Sequence, residues 1–216
     1  AAEPFFFQRA KDKGSKELYA RVMELFTAFC GLVFLGVIFY IDIISLLLGR
    51  DFRSGVGVVP IMLFSYMILG MLFNVSMWYK LSGKTNMAIW ITSAGLVVTI
   101  IVNLIFMPKY SYWAAAFGHL ASYVVMFILS AVLGQRHYPI PYRWGRILGT
   151  LALMFFFYGL ATLVDTQLFN FAGWDTDRHL LWWKLGVHTV LLLGYLGSAW
   201  TLLRKGIPAD GAQKRG

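Results

Sequence analysis

The sequence predicts an all-α integral membrane protein with six transmembrane helices, and three observations predict it. Hydrophobic residues make up 59% of the chain and charged residues only 13%, against roughly one-half and one-quarter in a soluble domain. Six runs are free or nearly free of charge, each about 17 residues or longer, enough for a helix to cross a hydrocarbon core of about 30 Å. None of them alternates as a strand would, and a bilayer admits only helices or closed barrels as spanning structures.

Taken in order, residues 1–18 form a lead-in whose alternating charges (Arg9, Lys11, Asp12, Lys13, Lys16, Glu17) read as a solvated or interfacial helical segment. A six-helix region over 19–205 follows, then a polar tail over 206–216. The spans are Leu25 to Ile41, continuing past Asp42 to Gly49; Ser54 to Tyr79; Thr85 to Met107; Tyr110 to Gln135; Ile147 to Val164; and Leu185 to Leu203. The connections between them are short, and none could hold a soluble catalytic domain. The loop QRHYPIPYRWGR carries two prolines flanking Ile140, which predicts a stiff, extended spacer. Trp78, Tyr79, Tyr110, Tyr112, Trp113, Tyr138, Tyr142, Trp144, Trp174, Trp182 and Trp183 cluster at predicted span ends, the depth where amphipathic rings anchor.

Net charge is +9, and its placement explains it. With alternating helices, fourteen of the basic residues fall on the side of both termini, at Arg9 to Arg21, Lys80, Lys84, Arg136, Arg143, Arg146 and Arg204 onward. Five fall opposite: Arg50, Arg53, Lys109, Arg178 and Lys184, together with Asp42, Asp51, Asp165, Asp175 and Asp177. The positive-inside rule puts both termini in the cytoplasm. Membrane lipid is the partner this charge calls for, and nucleic acid is unnecessary.

No cofactor, metal or catalytic constellation is legible. Cys30 is the one cysteine, so there is no intrachain disulfide framework. The four histidines show neither an HExxH pattern nor cysteine partners. Asp175-x-Asp177 in WDTDRH has the spacing of a divalent-metal carboxylate pair, but two carboxylates without further ligands make a poor site. Asn74-Val-Ser76 matches a glycosylation sequon yet lies within a span.

Polar groups inside spans are more informative, because leaving them in lipid is expensive. They are Glu24, Asp42, Asn74, Asn103, His119 and His188, candidates for packing or transport. Glu24 and Asp42 flank the first span, where interfacial water is expected to solvate them. Asn74 continues a stripe with Tyr66, Gly70 and Trp78, and Asn103 one with Thr92, Gly95 and Thr99, patterns expected of helix contacts with interhelical hydrogen bonds. Ala114, Ala115, Ala116 and Gly118 on the fourth span, and Gly194, Gly197, Ser198 and Thr201 on the sixth, read as close-packing surfaces. Pro108, Lys109, Tyr110, Tyr112 and Trp113 predict the turn of an antiparallel pair. If it pivots about Lys109, Asn103 sits beside Ala115 and Thr99 beside His119, and the histidine meets a hydroxyl.

The segment WYKLSGKTNMAIWITSAGLVVTIIVNLIFMPKYSYWAAAFGHLASYVVMFILSAVLGQRHYPIPY, Trp78 to Tyr142, resembles the C-terminal region of bacterial polysaccharide-biosynthesis membrane proteins. These are the Wzx-like lipid-linked oligosaccharide flippases of the multidrug/oligosaccharidyl-lipid/polysaccharide exporter superfamily. The matching pieces are YKLSGKT, NLIFMPKY, the small-residue start of the fourth span and YPIPY. The sequence departs from the common pattern at Ala114 and Ser111, where many members carry glycine. AAEPFFF, which opens without a methionine, looks like the segment following the eighth helix of such proteins. The resemblance implies the C-terminal part of a transporter of about fourteen helices in the bacterial inner membrane. It also implies a lipid-linked oligosaccharide substrate, the N-terminal helices of the same protein as partners, a cavity built largely by those helices, and no enzymatic activity. The alternatives are a drug or lipid-precursor exporter of the same superfamily, and a polyisoprenyl-processing membrane enzyme.

Overall fold

The computed structural model describes residues 14–47, 55–169 and 178–204, and every regular element among them is helical. Helix α1 is Ser15–Phe39, α2 Ile41–Leu47, α3 Val59–Val75, α4 Met77–Leu81, α5 Asn86–Tyr110, α6 Tyr112–His137, α7 Trp144–Val164 and α8 Arg178–Arg204. A π-helical turn, Asp165–Phe169, follows α7. Among the described residues six segments are long and apolar enough to cross a membrane: Ser15–Phe39, Gly55–Leu81, Asn86–Tyr110, Tyr112–His137, Trp144–Gln167 and Trp182–Arg204. The chain is a multi-pass, all-helical membrane protein.

Its contacts divide into two compact units, one of Ala1–Phe26 and Leu48–Tyr142, the other of Thr27–Leu47 and Arg143–Gly216. In the first, α5 lies against α6 and α6 against α3. Association in lipid lacks a hydrophobic drive and depends on close backbone approach at small residues, and α6 presents them inward: Ala114, Ala116, Gly118, Ser122, Ser130 and Gly134 are all buried. A side chain at Gly95 would collide with Met126, and Cβ at Gly134 would lie 2.8 Å from Trp78 Cδ1. The Trp78 ring is 1% exposed, donates Nε1–H to Ser130 Oγ at 3.2 Å and stacks on His137. Trp78 is therefore a core residue of this unit, packed on α6 at Ser130, Gly134 and His137 and not exposed as an anchoring ring. Tyr66 of the same stripe is 55% exposed, so the stripe is not a single buried face.

The proline turn is displaced. Helix α5 runs through Pro108 to Tyr110, and Ser111 alone joins it to α6. Proline forbids a backbone hydrogen bond four residues back, but its fixed φ is itself helical, and Ser111 N–H closes the helix on Met107 O at 2.9 Å. The chain reverses at Ser111, whose φ of 50° is the one positive value among described non-glycine residues. Moving the pivot from Lys109 to Ser111 slides the pair by about one turn, so Asn103 Oδ1 meets Gly118, not Ala115.

The YPIPY loop is docked. Ile140 is 3% exposed and clusters with Tyr19, Ala20 and Met77, and Gln135 Nε2 donates to its carbonyl at 2.8 Å. The expected extended spacer is not what forms: Tyr142 N–H closes a tight turn on Ile140 O at 2.8 Å across Pro141, and the isoleucine between the two prolines enters the core. Burial pushes the Tyr142 hydroxyl well above the ordinary tyrosine value.

In the second unit α7 packs on α8. Tyr195 of α8 is 1% exposed and donates its hydroxyl to Ala28 O at 3.1 Å. It fills the space over Gly31 so closely that no Cβ fits there. On α8, Gly194 approaches Phe157, whereas Gly197 faces open space and is not a packing surface.

Candidate functional site

The densest polar arrangement among the described residues lies in the second unit, where α2, the π-helical turn and α8 each contribute charge. Lys184 and His188 are four residues apart and so share a face of α8. Lys184 Nζ lies 2.7 Å from Asp42 Oδ2 and 3.5 Å from Asp165 Oδ2. His188 Nε2 lies 3.2 Å from Asp165 Oδ1, and Nδ1–H donates to the Phe39 carbonyl at 3.0 Å. That carbonyl ends α1, where helices leave acceptors without intrahelical partners, and the interruption at Tyr40 brings α2 and Asp42 in directly after it. The Phe39 ring stacks on the imidazole with centroids 4.9 Å apart. Beside the network Thr189 donates to Leu185 O at 2.7 Å, which makes Tyr40 the donor in its 2.7 Å bond to Thr189 Oγ1.

Exposure is graded across this site. The Asp42 side chain is 45% exposed, Asp165 32%, Lys184 22% and His188 3%. Both outer carboxylates are partly exposed, and the ion pair between Asp42 and Lys184 is worth little by itself. His188 is desolvated, so its two ring bonds are what make its burial tolerable.

The sequence singled out Asp42 and His188 of this group and assigned Asp165 and Lys184 to a connecting loop. The signal that could have found them is charge balance: Asp42, Asp165 and Lys184 all fall at one predicted membrane face, and Lys184 stands one helical turn before His188.

The remaining candidates do not join the network. Glu24 is 4% exposed, not solvated at an interface, because α1 begins at Ser15 and carries Glu24 well inside the helix, flanked by buried Met23 and Tyr19. Asn74 is half-buried on α3, just before the break. Asn103 is half-buried, and its Oδ1 has no hydrogen-bond partner among the described residues. His119 does not meet the Thr99 hydroxyl: its Nδ1–H donates to Ala115 O at 2.9 Å, and Thr99 donates to Gly95 O at 3.0 Å. Each satisfies itself on its own helix, and Ser122 makes the interhelical bond, to Gly95 O at 2.8 Å. Along one face of this pair runs an apolar cleft of ≈ 690 Å³ lined by Val102, Phe106, Tyr110, Trp113, Ala114, Phe117, Leu120, Ala121 and Val124.

Asp175 and Asp177 lie outside the described residues, as do Arg50, Asp51, Arg53, Trp174, the lead-in before Gly14 and the tail after Arg204. Among the described residues no group of three or more histidine, cysteine or acidic side chains could hold a metal ion. Comparison with protein-family models, with curated proteins and with solved structures finds no match.

Proposed function

We propose that this chain is the C-terminal six-helix part of a carrier that moves an undecaprenyl-pyrophosphate-linked oligosaccharide across the bacterial inner membrane, with both termini cytoplasmic. The observation that carries the reading is where the pieces resembling lipid-linked oligosaccharide flippases fall. Trp78, at the start of that segment, is a buried anchor. Ser111, at a position where many of those proteins have glycine, adopts the positive φ that glycine favours. Ile140, inside YPIPY, docks the closing loop. A motif set that follows the turning points of the fold supports a shared backbone more strongly than the same residues scattered over an apolar helix. The apolar cleft on α5 and α6 suits the tail of a lipid-linked substrate, and the unequal split of basic residues supports the orientation.

Two experiments test the proposal. Cysteines placed singly at Ser82 and Thr176 in intact cells are expected to differ toward an impermeant thiol reagent; labelling at Ser82 with protection at Thr176 overturns the orientation. A chain in which eight further spans precede residues 1–216, reconstituted in vesicles, is expected to translocate an undecaprenyl-pyrophosphate oligosaccharide, whereas residues 1–216 alone are not. Absence of translocation by the longer chain, or turnover of the substrate in place of translocation, refutes the carrier reading.

A further inference from the structure

The hydrogen bonds of His188 count protons. A carbonyl oxygen only accepts, so the 3.0 Å contact with Phe39 O places a hydrogen on Nδ1. The other ring nitrogen faces Asp165 Oδ1 at 3.2 Å. A neutral imidazole with its hydrogen on Nδ1 offers a lone pair there, an ionised carboxylate offers only lone pairs, and two acceptors do not bond. One further proton must lie in the contact, on Nε2 as an imidazolium facing a carboxylate, or on Oδ1 as a carboxylic acid facing a neutral imidazole. In both descriptions the pair holds one proton more than a neutral histidine and an ionised aspartate.

The neighbours decide what that proton does. Among the described residues, the charged groups facing the pair are Asp42 from α2 and Lys184 from α8, and the uncharged hydroxyls of Tyr40 and Thr189 stand beside them. With the extra proton, one ammonium and one proton balance two carboxylates, and these four described groups are together neutral. Without it the same four groups carry a net charge of −1, and a lone pair on a 3% exposed ring faces a carboxylate. We propose that the His188–Asp165 pair is a proton-binding site that clamps α8 to the end of α1 and to the π-helical turn after α7. The proton leaves from the Asp165 side, whose carboxylate is about one-third exposed. Its departure turns the Nε2 contact from attractive to repulsive and frees α8 from the turn. Its return re-forms the bond. The site is defined by its own geometry and holds whatever the chain transports.

The test is nitrogen NMR of the whole chain in lipid nanodiscs with ¹⁵N-labelled histidine, the His188 signals being identified by their loss in His188→Gln. Near neutral pH the wild type is expected to show Nδ1 protonated and Nε2 bonded to a proton. In Asp165→Asn the carboxamide itself can donate to Nε2, so His188 is expected to become singly protonated while keeping both bonds. Hydrogen exchange over residues 185–191 supplies the mechanical readout. In the wild type, raising the pH until the Nε2 proton signal is lost should speed exchange by about tenfold beyond the intrinsic rate, as expected for loss of a charge-assisted bond; in Asp165→Asn it should not. The wild type alone also decides the matter, because proton loss and the rise in exchange must share one midpoint. A wild-type Nε2 without a proton near neutral pH, identical His188 signals in wild type and Asp165→Asn, or two separate midpoints would each overturn the proposal.

Discussion

Ser111 occupies a conformation that serine should resist. At φ 50° and ψ −131° its Cβ crowds the following peptide, a penalty absent for glycine and of about 1–2 kcal/mol for other residues. Replacing it with glycine removes that penalty but gives the unfolded chain more freedom, which costs about 0.5–1 kcal/mol. The net expectation for Ser111→Gly is stabilisation by about 0.5–1 kcal/mol. Neither backbone bond at this residue depends on the side chain: Ser111 N–H reaches Met107 O, and Ala114 N–H reaches Ser111 O. Ser111→Val should lose about 1 kcal/mol or more, because branching at Cβ aggravates the same clash. Gly83 provides the mirror control. Its φ is +69° and a Cβ would meet nothing within 4 Å, so Gly83→Ala should cost about 1 kcal/mol for conformational reasons alone. The assay is equilibrium unfolding in mixed detergent micelles followed by tryptophan fluorescence, to which the buried Trp78 contributes from within the same unit. A change of 1 kcal/mol alters the unfolding constant about fivefold. A lowered or unchanged midpoint for Ser111→Gly, or a harmless Ser111→Val, refutes the one-residue reversal between α5 and α6.

Three further outcomes follow from the packing of Gly134, Ile140 and Tyr142 in the first unit, with Gly159 of the second unit as a control. Gly134→Ala should destabilise by about 1–3 kcal/mol in the same assay, because the new methyl would lie 2.8 Å from a rigid, buried indole; Gly159→Ala, with nothing within 4 Å, should instead gain up to about 1 kcal/mol from helix propensity. Ile140→Ala should cost about 2–4 kcal/mol by leaving a cavity between the loop and α1, and hydrogen exchange at Tyr19 and Ala20 should rise with it. Tyr142 is held above the ordinary tyrosine value of 10.0 by burial, so the unfolded chain ionises first. Its stabilising contribution is complete below about pH 10 and is lost as the pH rises toward the higher folded value; Tyr142→Phe should flatten that alkaline loss of stability, whatever its effect at neutral pH.

What the sequence determined by itself was the solvent and the elements. Long apolar runs almost without charge cannot remain in water, and in lipid a backbone satisfies its own hydrogen bonds only as a helix or a closed barrel. Number and type of span therefore follow from composition and length, and small residues such as Ala114, Ala116 and Gly118 are legible as contact surfaces because lipid leaves little else to hold helices together. Boundaries were less legible: Glu24 was placed at a membrane edge because a charge ends an apolar run, although a helix does not end there. Proline marked the α5–α6 reversal only to within three residues, since what it lacks is an amide hydrogen and not a helical φ. Tertiary structure alone decided which polar groups meet. The half-buried His119 turns to a carbonyl four residues away, while His188, with the same side chain at a similar depth of sequence pattern, reaches Asp165 and the end of α1. A hydrogen bond depends on angstroms between elements distant along the chain, and those distances are set by where α1 breaks, how the π-helical turn aims Asp165 and which face of α8 is turned inward.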